Sequence, residues 1–176
     1  MRDNIKKSNR SLVPVFKKDP SNDVVFTPKN LAKDIIDHFN PTGSILDPCS
    51  GEGVFFNNFP QNDGNDWCEI TKGRDFFNHS KKHDWIVSNP PWSLIRPFLK
   101  HSMELSDNIV FLCLVNAFFM KARLRDMKEH NFGIKEIYFV DTPPKPWPAT
   151  GFALGAIYVK RGWNGDIKVS NSGLKF

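Results

Sequence analysis

Asn89-Pro90-Pro91-Trp92 stands at the end of the apolar run Trp85-Ile86-Val87. The run predicts a buried strand, and the two prolines end it. Neither proline carries an N–H, and each fixes its own φ. Pro91 also biases Pro90 toward an extended conformation. The chain therefore leaves the sheet as a stiff elbow. On this reading the Asn89 side-chain oxygen and the Pro90 carbonyl stand fixed with no adjacent donor, and Trp92 lies flat beside them. Two fixed acceptors and an aromatic plane can hold a planar amino group and accept both its hydrogens. That makes the nitrogen lone pair more available, and the ring sets the angle of attack. The plain alternative is a polar strand end followed by a turn.

Upstream, Ser44-Ile45-Leu46-Asp47-Pro48-Cys49-Ser50-Gly51-Glu52-Gly53 reads as a short buried strand and a glycine-bearing turn, with a helix expected from Val54-Phe55-Phe56. Gly51 and Gly53 let a ligand approach the backbone, and a helix N-terminus there would favour a carboxylate. Asp47 can accept from a ligand ammonium. Asp66-Trp67-Cys68-Glu69-Ile70 is the second expected strand, and an acid at such a strand end suits ribose hydroxyls. Asp75 could accept from an adenine amino group while Phe76 packs on its ring. Each acid taken singly could equally be an exposed strand-end charge.

The elements that must position these groups follow from periodicity and punctuation. Thr27 and Pro28 predict the N-cap and first residue of a helix carrying Leu31, Ile35 and Phe39 on one face, stopped by Asn40-Pro41-Thr42-Gly43. A second helix is expected over 93–105, with Pro97 in its first turn. A central strand is expected over 108–119 and a charged helix over 121–130. Strands follow over 133–141 and 152–160, then a short polar tail. Between the last two strands, residues 142–151 form a proline-rich loop in which Trp147 looks exposed.

Bulk properties narrow the classes. The 176 residues suffice for one domain with a core. No apolar run approaches a membrane span and the start lacks a signal-peptide core, so a cytoplasmic protein is expected. Three cysteines, each in or beside an apolar segment, fit reduced thiols better than a disulfide framework. The net charge is +5. Residues 1–20 carry six basic residues, among them Lys6, Lys7, Lys17 and Lys18, against two acidic ones. They form a basic arm, either solvated and disordered or in contact with phosphates. Residues 21–176 are expected to be the catalytic domain.

The order of these pieces resembles the amino-methylating S-adenosylmethionine-dependent DNA methyltransferases. Phe26-Thr27-Pro28 looks like that family's N-terminal cofactor motif. Asp47-Pro48-Cys49-Ser50-Gly51-Glu52-Gly53 looks like its glycine-rich motif, Glu69 like its ribose acid, Asp75-Phe76 like its adenine contacts, and Asn89 to Trp92 like its catalytic motif. The order is similar to the gamma group of adenine-N6 enzymes and to short phage-encoded adenine methyltransferases. The resemblance implies a single Rossmann-like class I α/β domain, with a mostly parallel seven-stranded sheet and one antiparallel strand in the C-terminal hairpin. It implies S-adenosylmethionine as cofactor and DNA as partner, with a monomer favoured. No separate target-recognition domain is recognised in the sequence.

The implied reaction transfers a methyl group from a sulfonium to the N6 amine of adenine, with Asn89 and the Pro90 carbonyl orienting that amine. In a duplex the base must be flipped out to reach the elbow. Trp147 is a candidate for the other side of the base. RNA adenine-N6 methylation would use the same elbow. Protein-glutamine methylation is a further alternative, opposed by the basic balance and the bulk of Trp92. A binding module without catalysis is a third, which nothing in the sequence favours. No metal is expected: His79 and His83 alone make no site, and no cysteine lies close to them in sequence.

Overall fold

The computed structural model describes residues 25–148 and 150–176. Lys6, Lys7, Lys17 and Lys18 lie outside the described residues. The elements run α1 Lys29–Phe39, β1 Ile45–Asp47, β2 Asp66–Trp67, β3 Trp85–Ser88, α2 Ile95–Leu105, β4 Asn108–Leu114, α3 Lys121–Glu129, β5 Phe132–Val140, β6 Leu154–Arg161 and β7 Lys168–Asn171. The seven strands form one sheet in the order β2-β1-β3-β4-β6-β5-β7. Pairings between β2 and β1, β1 and β3, β3 and β4, and β5 and β7 are parallel. Only β6 runs the other way, antiparallel to β4 and β5.

Alternation along the central strands divides the core between two faces. Ile86, Ile109 and Phe111 point to the face covered by α2 and α3, where they meet Ile95, Phe98, Leu99, Met103 and Met127. Val87, Val110 and Leu112 point to the other face, against Leu31, Ile35 and Ile36 of α1. Pro97 lies in the first turn of α2, where its missing N–H leaves no bond unmade.

Several expectations need correction. Helix α1 begins at Lys29 with Pro28 at the N-cap and no side-chain cap, so Thr27 does not cap it. No α-helix follows Gly53; only a 3₁₀ turn, Phe56–Asn58, forms there. The Asn58 side chain donates to the Val54 carbonyl at 2.7 Å, competing with the backbone. Pro60 then disfavours helical geometry in the residue before it, leaving room for barely one turn. The second strand is shorter than expected and the central strand ends at Leu114. The polar tail supplies β7, an edge strand of mostly exposed residues.

Polar bonds hold that tail. Glu136 accepts from Ser170 Oγ at 2.7 Å and pairs with Lys168 at 3.0 Å and His38 at 2.6 Å. Asp34 accepts from Ser172 Oγ at 2.8 Å and Tyr138 Oη at 2.9 Å. Among the described residues, no helix is long and apolar enough to cross a membrane.

Candidate active site

The carboxyl ends of β1, β2 and β3 and the segment before α1 converge on one cleft. Its walls include Phe26, Thr27, Cys49, Gly51, Phe55 and Asn89, and it encloses about 320 Å³ together with the space open to solvent. Parallel strands bring their loops to one edge of a sheet, where α/β proteins bind ligands.

Backbone pairing beyond β2 shapes the glycine turn. The Cys68 amide donates to the Asp47 carbonyl at 2.8 Å, and the Ser50 amide donates to the Cys68 carbonyl at 2.8 Å. Gly51 and Gly53 take φ values of 51° and 83°, a region costly for a residue with a Cβ. Glu69 fastens the turn from the next strand end. Its Oε2 accepts from the Gly51 amide at 2.8 Å, and its Oε1 accepts from the Thr71 amide and hydroxyl. Lys72 donates to the Gly51 carbonyl at 2.7 Å. Burial pushes the Glu69 carboxyl up, but the bonds from Thr71 and Gly51 outweigh it and hold it below the usual carboxylate range.

Asp47 is fully buried. Its Oδ1 accepts from Ser88 Oγ at 2.7 Å and from the Cys49 amide at 3.4 Å. Its Oδ2 accepts no hydrogen bond from any described residue. Burial drives its carboxyl up to about 7, against the opposing pull of Ser88 and of the Cys49 and Phe56 amides. A buried carboxylate with a bare oxygen costs stability until a cation or donor meets it. Burial and the neighbouring Asp47 push the Cys49 thiol up as well, so it is a neutral wall of the cleft rather than a nucleophile. Pro48 is buried beneath it.

The elbow differs from its sequence reading in one respect. Asn89 Oδ1 has an adjacent donor: Trp92 Nε1 gives it a hydrogen bond at 3.1 Å. Asn89 Nδ2 donates to the Val25 carbonyl at 3.1 Å and to Thr27 Oγ1 at 3.2 Å. An indole N–H can only donate and a carbonyl can only accept, so the amide orientation is fixed by its neighbours. One oxygen lone pair remains for a further donor. Pro90 is buried and Pro91 half-buried, and the Pro91 carbonyl accepts from the Leu94 amide at 2.8 Å. Val25 and Thr27 thus serve the elbow by bracing Asn89, Pro28 stands at the N-cap of α1, and exposed Phe26 stands opposite Gly51.

Two expected ring contacts are placed otherwise. Phe76 is only 3% exposed and packs against Phe98, Phe77 and His101. Asp75 caps its own 3₁₀ turn, accepting from the Phe77 amide at 3.0 Å. Trp147 is 6% exposed, not a surface aromatic, and lies edge-on to half-buried Trp92 at 6.0 Å between ring centres. Its ring belongs to the same buried cluster as Leu154 and Ala156.

Sequence reasoning missed Ser88 and Ile70. Ser88 joins Asp47 to Cys49, and a hydroxyl inside a buried apolar run was the available signal. Ile70, 72% exposed, follows Glu69 directly and offers an apolar face to solvent.

Neither a protein-family model nor a curated protein matches the chain. Solved structures do. A candidate RNA methyltransferase from Pyrococcus horikoshii superposes with a TM-score of 0.54 at 17% identity, over 76% of this chain and 83% of that one. A candidate class I S-adenosylmethionine-dependent methyltransferase from Listeria monocytogenes gives 0.55 at 11% identity, over 82% and 64%. The modification subunit of a candidate type I restriction enzyme from Vibrio vulnificus gives 0.55 at 15% identity, over 83% of this chain. This chain spans 46% of that subunit's length. The shared feature is the class I methyltransferase fold, with its mixed seven-stranded sheet.

Proposed function

We propose that this protein is an S-adenosylmethionine-dependent methyltransferase acting on the exocyclic N6 amine of adenine in DNA. The observation that carries the reading is the Asn89 amide, held by Val25, Thr27 and Trp92 with one oxygen lone pair directed to none of them. A preorganised acceptor at a strand end suits an amine that must be oriented and stripped of hydrogen-bonding freedom.

The residues present fit the cofactor. Asp47 Oδ2 is a bare buried acceptor suited to the ammonium of a methionine moiety. Glu69 keeps a carboxylate at the second strand end for ribose hydroxyls, while Ile70 offers an apolar face to the adenine ring. Gly51 and Gly53 leave the backbone open to close approach. When bound, S-adenosylmethionine would supply the electrophilic methyl group of its sulfonium and keep the carbon–sulfur electron pair, and the amine proton would leave to bulk solvent.

The chain's own part is positional. Asn89 Oδ1 and the Pro90 carbonyl accept from the amine, and Trp92 both steadies Asn89 and borders the base. Cys49 and Phe55 exclude water from the cleft. Support for nucleic acid comes from the net charge of +5 and from the neighbours' own assignments to RNA and to restriction–modification.

The test is partition of label. Methyl-labelled S-adenosylmethionine is incubated with the protein and with unmethylated DNA, RNA and protein. Label is expected in DNA and, after digestion, in N6-methyladenine. Label confined to RNA or to protein amide would overturn the substrate, and label on adenine at another position would overturn the role of the elbow.

A further inference from the structure

Beside the edge strand β2 lies a cluster that the proposed reaction does not use. Asp66 opens β2, and His79 and His83 lie on the irregular segment that leads into β3. One ligand-type atom from each falls within 4.8 Å of the other two. The two imidazole Nε2 atoms face each other at 3.0 Å. His79-x-x-x-His83 has the spacing of the histidine pair in many structural zinc sites. The missing third donor, which no nearby cysteine supplies in sequence, is the Asp66 carboxylate brought in by the fold.

A hydrogen bond between the rings accounts for the pair only in part. One proton serves two Nε2 atoms, and whichever ring carries it, His83 Nδ1 stays buried with no partner among the described residues. His83 is 5% exposed, so water does not readily make up the loss. Asp66 also has capacity to spare. Its bonds from the Trp67 amide and from Arg74 Nη2 both fall on Oδ1, leaving Oδ2 for another ligand. The His79 carbonyl sits 3.0 Å from His101 Nε2, which ties the segment to α2.

We propose that Asp66, His79 and His83 form a site for one divalent transition-metal ion, zinc by its donor set of two imidazoles and a carboxylate. The role is structural. β2 is a two-residue edge strand, and Glu69 hangs from its end. Between Glu69 and β3 the described chain has one isolated bridge, Arg74 to Glu69, and otherwise 3₁₀ turns and irregular backbone. An ion bridging Asp66 to the segment before β3 would fasten this thin edge and steady the cleft wall. Three protein donors would leave the fourth position of the shell to water, unlike the closed four-ligand shell of most structural zinc sites.

The experiment uses the full chain, stripped with chelator and titrated with zinc by calorimetry and with cobalt by absorption. One ion per chain is expected, with cobalt bands of a tetrahedral site and a higher unfolding temperature in the loaded form. His79→Gln and Asp66→Asn remove one donor each from less buried positions, and each should weaken affinity by about tenfold or more. Their metal-free unfolding temperatures should stay near that of the metal-free parent, which separates lost ligation from misfolding. Binding of zinc at unchanged affinity by both variants would overturn the proposal and move the ion to other donors. Failure of the parent to take up zinc or cobalt would overturn it outright. Neither outcome touches the methyl-transfer reading, whose label assay is run with chelator present.

Discussion

Replacing Asp47 with asparagine should stabilise the empty protein at alkaline pH and damage its ligand binding at once. The carboxyl has an ordinary value of 3.8 and is driven to about 7 by burial. Between those values the unfolded chain has lost the proton while the folded chain keeps it. Stability from this group is fully present below about pH 4 and is lost as pH rises toward 7. The loss runs at about 1.4 kcal/mol per pH unit, so roughly 3 kcal/mol disappears between pH 5 and pH 8. Asparagine does not titrate. Its amide oxygen can keep the bonds from Ser88 Oγ and the Cys49 amide, and any misfit of its nitrogen is the same at both pH values.

The difference in stability between Asp47→Asn and the parent should therefore shift by roughly 3 kcal/mol in the variant's favour from pH 5 to pH 8, or about 6–12 °C in unfolding temperature. Urea unfolding of both proteins at four pH values measures it. Histidines and surface carboxylates titrate in both and cancel. Cofactor affinity should move the opposite way, rising with pH in the parent and falling by about tenfold or more in the variant. A stability difference that does not change with pH would refute the buried, bare carboxylate.

Three further outcomes follow from the cleft. Glu69→Ala removes acceptors from Thr71 and Gly51 as well as from the ligand, and should weaken S-adenosylmethionine binding about tenfold or more by calorimetry; unchanged affinity would remove Glu69 from the site. Trp92→Phe keeps a ring but loses the indole N–H that steadies Asn89, so methyl transfer should drop by about tenfold while the unfolding temperature moves little; full activity would show the latch to be idle. Deleting residues 1–18 should lower DNA affinity and flatten its dependence on salt without changing cofactor affinity; an unaltered slope would assign those lysines to solvent.

The sheet was legible wherever an apolar run ended in a polar residue. Asp47, Glu69 and Asn89 each close such a run, and the structure sets all three at one edge. The tail strand was not legible, because Lys168, Val169, Ser170 and Asn171 alternate no apolar face. Its partners, Glu136 and Asp34, are far away in sequence. Trp147 was misplaced because proline-rich composition speaks for a loop but not for which way the loop folds. The helix expected after Gly53 failed on local chemistry that was in view, since Asn58 and Pro60 both oppose it. The latch from Trp92 to Asn89 spans three residues and needed only a turn at the prolines. The bond from Asn89 to Thr27 spans 62 residues and needed the whole fold. The same holds for Asp66, which the fold brings within reach of His79 and His83.

Single-turnover methyl transfer by Asn89→Ala tests the acceptor role of Asn89 most directly. The variant is to be compared with the parent on adenine-containing DNA, with both saturated in S-adenosylmethionine. Removing the oriented acceptor should slow formation of N6-methyladenine by about a hundredfold or more, the scale expected for a lost preorganised contact at the reacting atom. Cofactor affinity should stay within about threefold, because the bonds holding Asp47 and Glu69 do not pass through Asn89. A variant that methylates DNA at the parent's rate would contradict the central claim.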